Sequence, residues 1–162
     1  MAGREHTDPP ERYWDDFVEG DVVLTRGRTV DIGDITQFAG LTGDLYPLHI
    51  DEEFARRGRF DGRIAHGPLT FSIAVGLVGM TNFYGDAIVA LLGIDGLRAK
   101  KPVVPGDTLR VRAEATSVAA GENPKYGTLE MTYVVLNQRD ETVMQFVQTM
   151  LARRRQEGGV DE

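Results

Sequence analysis

Residues 67–80 read GPLTFSIAVGLVGM, and this stretch predicts an apolar helix around which the rest of the domain has to be arranged. The proline near its start suits the first turn of a helix, where the backbone N–H that proline lacks would have no intrahelical partner. The stretch is apolar on nearly every side, so the predicted helix has to be enclosed by other elements. Because it is shorter than the ~20 apolar residues that cross a bilayer, we expect it inside a soluble domain.

The half of the chain that follows this helix is rich in β-forming residues. Four β-prone segments lie at 87–99, 107–119, 127–137 and 142–152, and turn-forming residues separate them at 105–107, 121–124 and 138–141. These segments predict an antiparallel meander. Since helices precede the strands and one apolar helix needs a cover, we predict an α+β fold in which the sheet wraps that helix.

Shorter elements are predicted ahead of the apolar helix. In chain order they are a strand or strand pair at 20–30, a helix that Asp31 caps and Gly40 or Gly43 ends, a loop at 43–49, and a short surface helix at 51–58. The last helix has acidic residues first and basic residues last, the order that the helix dipole favours.

Length and composition indicate one domain. The chain has 162 residues, of which 41% are hydrophobic, enough for a core without metal or disulfide support. We place the domain at 13–155, between polar ends at 1–12 and 156–162 that we expect to be flexible. The first ten residues lack the apolar core of a signal peptide, so we expect a cytoplasmic protein with no membrane segment.

Charge and cysteine content exclude several classes of function. The formal net charge is −7, which disfavours general nucleic-acid binding, because such binding uses Lys and Arg to neutralise phosphate. The chain has no cysteine, so disulfides, cysteine-ligated metals and thiol nucleophiles are excluded.

Asp44 and His49 form the first candidate site. Pro47 stiffens the loop between them, so the carboxylate and the imidazole can face one point. Such a pair can activate a water, the carboxylate accepting a hydrogen bond while the imidazole donates. The alternative is that Asp44 caps a turn and His49 fills a surface notch.

Gly67 is the second candidate, because a backbone N–H at the start of a helix can stabilise an oxyanion and glycine permits a close approach. The alternative is that Gly67 only eases the chain into the helix. We interpret His66 as a structural hydrogen-bonding residue rather than a base. Ser72 lacks the glycine-flanked turn of a catalytic serine, so we interpret it as a helix-buried serine that bonds the backbone.

Cationic side chains are the third feature. Four arginines fall within eight residues, and two lysines stand at a predicted strand end: Arg56, Arg57, Arg59, Arg63, Lys100 and Lys101. They can hold the phosphates of a long anionic substrate, or the arginines can form an ordinary solvated face. A metal centre built from Asp44, His49, Asp51 and His66 has no supporting ligand spacing, so we predict no metal.

In sequence order, the motifs resemble those of the MaoC-like dehydratases, the (R)-specific enoyl-CoA hydratases of the hot-dog fold. The motifs are TGDLYPLHID at 42–51, FDGRIAHGPL at 60–69 and KPVVPGDTL at 101–109. Ordered motifs at these separations are more specific than a single short pattern.

The resemblance implies an antiparallel sheet around a long central helix, with dimers as the usual assembly. It implies that Asp44 and His49 activate the water that adds to an enoyl thioester, and that the Gly67 N–H polarises the thioester carbonyl. No metal or redox cofactor is implied, since coenzyme A is part of the substrate. His66, Tyr46, Pro47 and Val75 are then expected around the substrate.

Two positions depart from the family pattern, and two other functions stay open. The family motif often has asparagine where this chain has Tyr46, and a serine common in the central helix of the short-chain hydratases is replaced here by Val75. Both differences alter the pocket and therefore affect which acyl group the protein accepts. The alternatives are a hot-dog thioesterase, which hydrolyses the thioester, and a non-catalytic acyl-CoA-binding protein.

Overall fold

The structure, a computed structural model, describes residues 8–156. Its elements are, in chain order, a 3-10 helix at Trp14–Asp16, β1 (Val22–Leu24), β2 (Arg28–Thr29), α1 (Ile32–Thr42), α2 (Pro47–Ile50), α3 (Glu52–Arg56), α4 (Gly67–Gly79), β3 (Ile88–Ala99), β4 (Thr108–Ala120), β5 (Tyr126–Leu136) and β6 (Thr142–Arg153). The predicted α+β class is confirmed. Residues 1–7 and 157–162 lie outside the described part, so the flexibility expected for them stays a prediction.

The core lies between α4 and the long strands. Leu69, Ile73 and Leu77 of α4 share one buried cluster with Met131 and Tyr133 of β5. Along β5 the buried residues alternate with half-buried ones, as a strand with one face on a core requires. The opposite side of α4 is open to solvent. Its exposed residues are Gly67, Pro68, Ser72, Gly76 and Gly79. The predicted enclosure of this helix is therefore correct for one side only.

The sheet has the order β1-β4-β5-β6-β3, with β2 also paired to β4, and all pairs are antiparallel. The predicted meander is correct for β4, β5 and β6. It is wrong for β3, which pairs with β6 at the far edge instead of with its successor β4. Turn residues mark where a strand ends but not which strand it will join, since strand pairing is non-local.

The ends of α1 and α3 follow the predicted capping signals. Asp31 accepts a hydrogen bond from Gly33 N, and α1 ends at Gly43, whose φ is 74°. Asp51 accepts from Phe54 N at 3.0 Å and so caps α3. The loop predicted at 43–49 is partly wrong, because Pro47 begins α2, a single helical turn.

Part of the N-terminal segment is held against the turn before β3. Asp86 N donates to Pro10 O at 3.1 Å, and Arg12 N donates to the Asp86 carboxylate at 2.8 Å. The Arg12 guanidinium also lies over the Phe17 and Phe83 rings. Residues 10–12 thus have specific contacts within the end that we expected to be flexible. Among the described residues, no helix has both the length and the apolar character needed to span a bilayer.

Candidate active site

Asp44 and His49 are positioned by two consecutive helix boundaries. The left-handed Gly43 ends α1, and Asp44 follows it with its N–H donating to Thr42 Oγ1 at 3.2 Å. Tyr46 N then donates to Asp44 Oδ1 at 3.4 Å, immediately before α2 carries His49. The carboxylate and the imidazole are therefore held by local backbone geometry.

The structure brings Asp44, His49 and His66 together. A carboxylate oxygen and one nitrogen of each ring all lie within 4.8 Å of one another. Asp44 is exposed, His49 is half-buried and His66 is fully buried. The three side chains thus run from the surface into the core.

A hydrogen bond to Ile64 sets the tautomer of His49. His49 Nδ1 lies 2.8 Å from the Ile64 carbonyl oxygen. Because a carbonyl only accepts, Nδ1 carries the hydrogen, and the neutral ring keeps an accepting lone pair on Nε2. This differs from the sequence-based expectation, in which the imidazole donates to the water.

His49 opens onto a cleft of about 400 Å³. The lining residues are His49, Arg59, Phe60, Ile64, Ala65, Gly67, Thr70, Ala99, Lys100, Lys101, Pro102, Val103, Val143 and Met144. Gly67 begins α4, where a backbone N–H has no acceptor within the helix. The cleft therefore combines an acid/base side chain with a helix N-terminal donor.

The six predicted cations have three different placements. Arg59, Lys100 and Lys101 line the cleft. Arg56 and Arg63 instead bind Glu52, at 3.1 and 2.8 Å. The hydrogen bond from Arg63 is the main cause that holds the pKa of Glu52 below its ordinary value. Arg57 is exposed and does not line the cleft.

Lys101 belongs to a small charged network beside the cleft. It lies 2.5 Å from Glu141, which also accepts hydrogen bonds from Asn137 and Arg139. These donors, Asn137 first, lower the pKa of Glu141 from 4.5 to about 2. Glu141 therefore stays ionised and holds Lys101 in place at neutral pH.

Other predicted substrate residues lie around the site rather than in the cleft wall. Tyr46 is exposed, with its ring edge-on to His49 at 6.3 Å, and Pro47 is the first residue of α2. Val75 packs on the hydrophobic core and does not line the cleft. Ser72 donates to Pro68 O at 2.8 Å as predicted, but it is exposed, so its predicted burial is wrong.

The candidate metal ligands of this site are carboxylate and imidazole groups. Three of the four, Asp44, His49 and His66, are within ligand reach of one another, whereas Asp51 caps α3. His49 Nδ1 and His66 Nε2 are each already bonded to a backbone carbonyl. The expectation of no metal stays a prediction.

Three features of the site were not predicted from the sequence: the apolar wall of the cleft, the Ile64 carbonyl that binds His49, and Thr70. Phe60, Val103 and Met144 supply apolar surface from three separate segments. Thr70 lies one turn into α4 and donates to His66 O. No local pattern marks these residues, because they come from segments far apart in the chain that meet only in the folded protein.

The fold and the site define a class: a hot-dog protein whose cleft is lined by an imidazole and by the start of the central helix, with a carboxylate within 4.8 Å of that imidazole. The family profile of the MaoC-like domain matches residues 16–137. The chain belongs to the MaoC-like dehydratase family, and the resemblance seen in its sequence motifs is confirmed.

Individual relatives support this assignment. The chain is 37% identical to the protein MaoC of Klebsiella aerogenes over 116 residues, 69% of this chain and 33% of that protein, so it spans about a third of that relative. It is 33% identical to an (R)-specific enoyl-CoA hydratase of Rhodospirillum rubrum over 123 residues, 76% of this chain and 81% of that enzyme. A solved structure titled as a monoamine oxidase regulatory protein from Archaeoglobus superposes with a TM-score of 0.85 at 34% identity, covering 90% of this chain and 96% of that one.

Proposed function

We propose that this protein catalyses the reversible addition of water to a 2-enoyl-CoA, giving an (R)-3-hydroxyacyl-CoA. The observation that carries the proposal is the Asp44 carboxylate within 4.8 Å of the His49 imidazole, beside a cleft that Gly67 also lines. Membership of the MaoC-like family and the likeness to an enzyme named as an (R)-specific enoyl-CoA hydratase support the reaction class and the product configuration.

The geometry supports a direct acid/base route. The water oxygen bonds to the β-carbon while His49 Nε2 takes one of its protons, and the Asp44 carboxylate accepts a hydrogen bond from the other. The electron pair of the double bond moves to the thioester oxygen, where the Gly67 N–H stabilises the charge. His49 then returns its proton to the α-carbon. The reaction adds one water molecule to the double bond without net oxidation or reduction, so it uses no redox cofactor.

The cations of the cleft suit the rest of the substrate. Coenzyme A carries phosphates, and Arg59, Lys100 and Lys101 are the cationic residues that line the cleft. Arginine and lysine side chains bind phosphate through charge-assisted hydrogen bonds. We therefore assign the coenzyme A end of the substrate to this side of the cleft, and the acyl group to the apolar wall of Phe60, Val103 and Met144.

A panel of short, medium and branched 2-enoyl-CoAs tests the proposal. We expect the absorbance of the conjugated thioester to fall on addition of the protein, and chiral analysis to give the (R) product. Release of free thiol from saturated acyl-CoAs would instead identify a thioesterase. A ligand-dependent rise in unfolding temperature without turnover would identify a binding protein, and either of these results would overturn the proposed hydration.

A further inference from the structure

His66 is the most deeply buried ionisable side chain of the site, and the proposed reaction leaves it without a role. It is 0% exposed and caps the N-terminus of α4 without using its side chain for the cap. Its Nδ1 is buried and has no hydrogen-bond partner among the described residues. A buried polar atom left unpaired costs free energy, so stability alone does not explain this imidazole.

The other ring nitrogen of His66 holds the backbone of Asp44. His66 Nε2 lies 3.0 Å from the Asp44 carbonyl oxygen, across 22 residues of sequence. Since the carbonyl only accepts, Nε2 is the donor. This bond ties the exposed loop that carries the carboxylate to the buried start of α4.

The His66 ring also supports the ring of His49. The two imidazoles stack with centroids 3.8 Å apart and planes 28° apart. On its own side, His66 contacts the Phe38 ring at 5.0 Å. His49 is therefore held at Nδ1 by Ile64 and across its face by His66.

His66 directly precedes Gly67 in the chain. His66 thus bonds the backbone of Asp44, stacks on the ring of His49 and precedes Gly67, whose N–H is the oxyanion donor. We propose that His66 is a positioning residue, which fixes Asp44 and His49 relative to the Gly67 N–H. This inference rests on the proposed hydration, because the three groups have to act on one substrate.

Two substitutions separate the two contacts of His66. His66→Phe keeps an aromatic ring for His49 but removes the donor to Asp44, whereas His66→Gln places an amide N–H where Nε2 donates. We expect His66→Phe to lower kcat for an enoyl-CoA by about tenfold or more with little change in KM, because substrate contacts stay intact. We expect His66→Gln to recover part of that loss.

Gln148 provides a matched control. It is a buried polar side chain on β6 whose Oε1 has no hydrogen-bond partner in the part of the chain that the structure describes, and it does not line the cleft. Gln148→Met should change kcat by less than about twofold, and unfolding temperatures of all variants show whether a loss of kcat merely follows lost stability.

The outcomes are distinct. Retention of wild-type kcat by His66→Phe, or a His66→Gln variant no more active than His66→Phe, overturns the positioning role while hydration stands. A wild-type protein that hydrates no enoyl-CoA in the panel overturns the proposed function and the positioning role together.

Discussion

The Asp44 and His49 side chains form few hydrogen bonds within the described part of the chain. Asp44 is exposed, and from residues 8–156 its carboxylate accepts only a long hydrogen bond, from Tyr46 N at 3.4 Å. His49 is half-buried, and among the described residues its side chain makes one hydrogen bond, to the Ile64 carbonyl. Substitutions at these two residues therefore test chemistry with little effect on the fold.

We expect Asp44→Asn and His49→Ala each to lower kcat for enoyl-CoA hydration by about 100- to 10,000-fold, because each removes a group that takes part in proton transfer or in holding the water. Steady-state kinetics measures the loss, and circular dichroism checks the fold. Asp51→Asn is the control, since asparagine caps α3 as well as aspartate does and should keep full activity. Near-native rates in both site variants would refute the pair.

At the scale of elements, the C-terminus of α1 sets the position of Asp44. Gly43 has a φ of 74°, a left-handed conformation that costs residues with a Cβ about 1–2 kcal/mol. A Cβ built there meets no atom within 4 Å, so the cost of a substitution is conformational rather than steric.

Gly43→Ala should lower the free energy of unfolding by about 1 kcal/mol and reduce kcat, because the strain lies next to Asp44. Gly43→Asn should cost less, since asparagine tolerates this conformation. Gly40→Ala is the control within the same helix: Gly40 is exposed, and alanine there should stabilise the protein by about 0.5–1 kcal/mol. Urea unfolding measures all three, and equal effects at 43 and 40 would contradict this account.

Glu141 lies in the turn between β5 and β6, and we expect it to make the free energy of unfolding depend on pH. The folded-state pKa of Glu141 is about 2 against an ordinary value of 4.5, so its ionised form is favoured by folding. That stability is present above about pH 4.5 and is lost as the pH falls toward 2. In Glu141→Gln, the free energy of unfolding should therefore fall less steeply over this interval. Urea unfolding at a series of pH values checks it, and parallel curves for the two proteins would disprove it.

At the scale of the whole molecule, β3 forms one edge of the sheet and carries exposed apolar side chains. Val89, Leu91 and Leu92 are each more than half exposed, and the outer edge of β3 has no partner strand in the described part of the chain. An exposed apolar edge strand of 12 residues is a template for pairing with another strand.

We expect two copies to associate through β3, as a homodimer. Light scattering after gel filtration should give about twice the mass of one chain, and replacing Leu91 and Leu92 together by lysine should shift the protein toward monomer. Leu24→Lys is the control, because Leu24 is exposed on β1 at the other side of the sheet and should leave the assembly unchanged. A wild-type monomer, or equal dissociation by both changes, would contradict the prediction.

Much of the fold could be predicted from the sequence because it is encoded locally. The cap at Asp31, the end of α1 at Gly43, the apolar run of α4 and the four long strands all follow from short-range periodicity and turn chemistry. The motifs around Asp44, His49 and Gly67 likewise placed the chain in its family, and the Asp44 and His49 side chains that they contain lie within 4.8 Å of each other.

Contacts between distant segments were decided only by the tertiary structure. The placement of β3 beside β6, the bond from His49 to Ile64 and the stacking of His49 on His66 join residues that no local pattern links. In the folded chain Arg56 and Arg63 bind Glu52, whereas Arg59, Lys100 and Lys101 line the cleft. The physical reason is that periodicity and capping act over a few residues, whereas strand pairing and ring stacking depend on which distant segments the fold brings side by side.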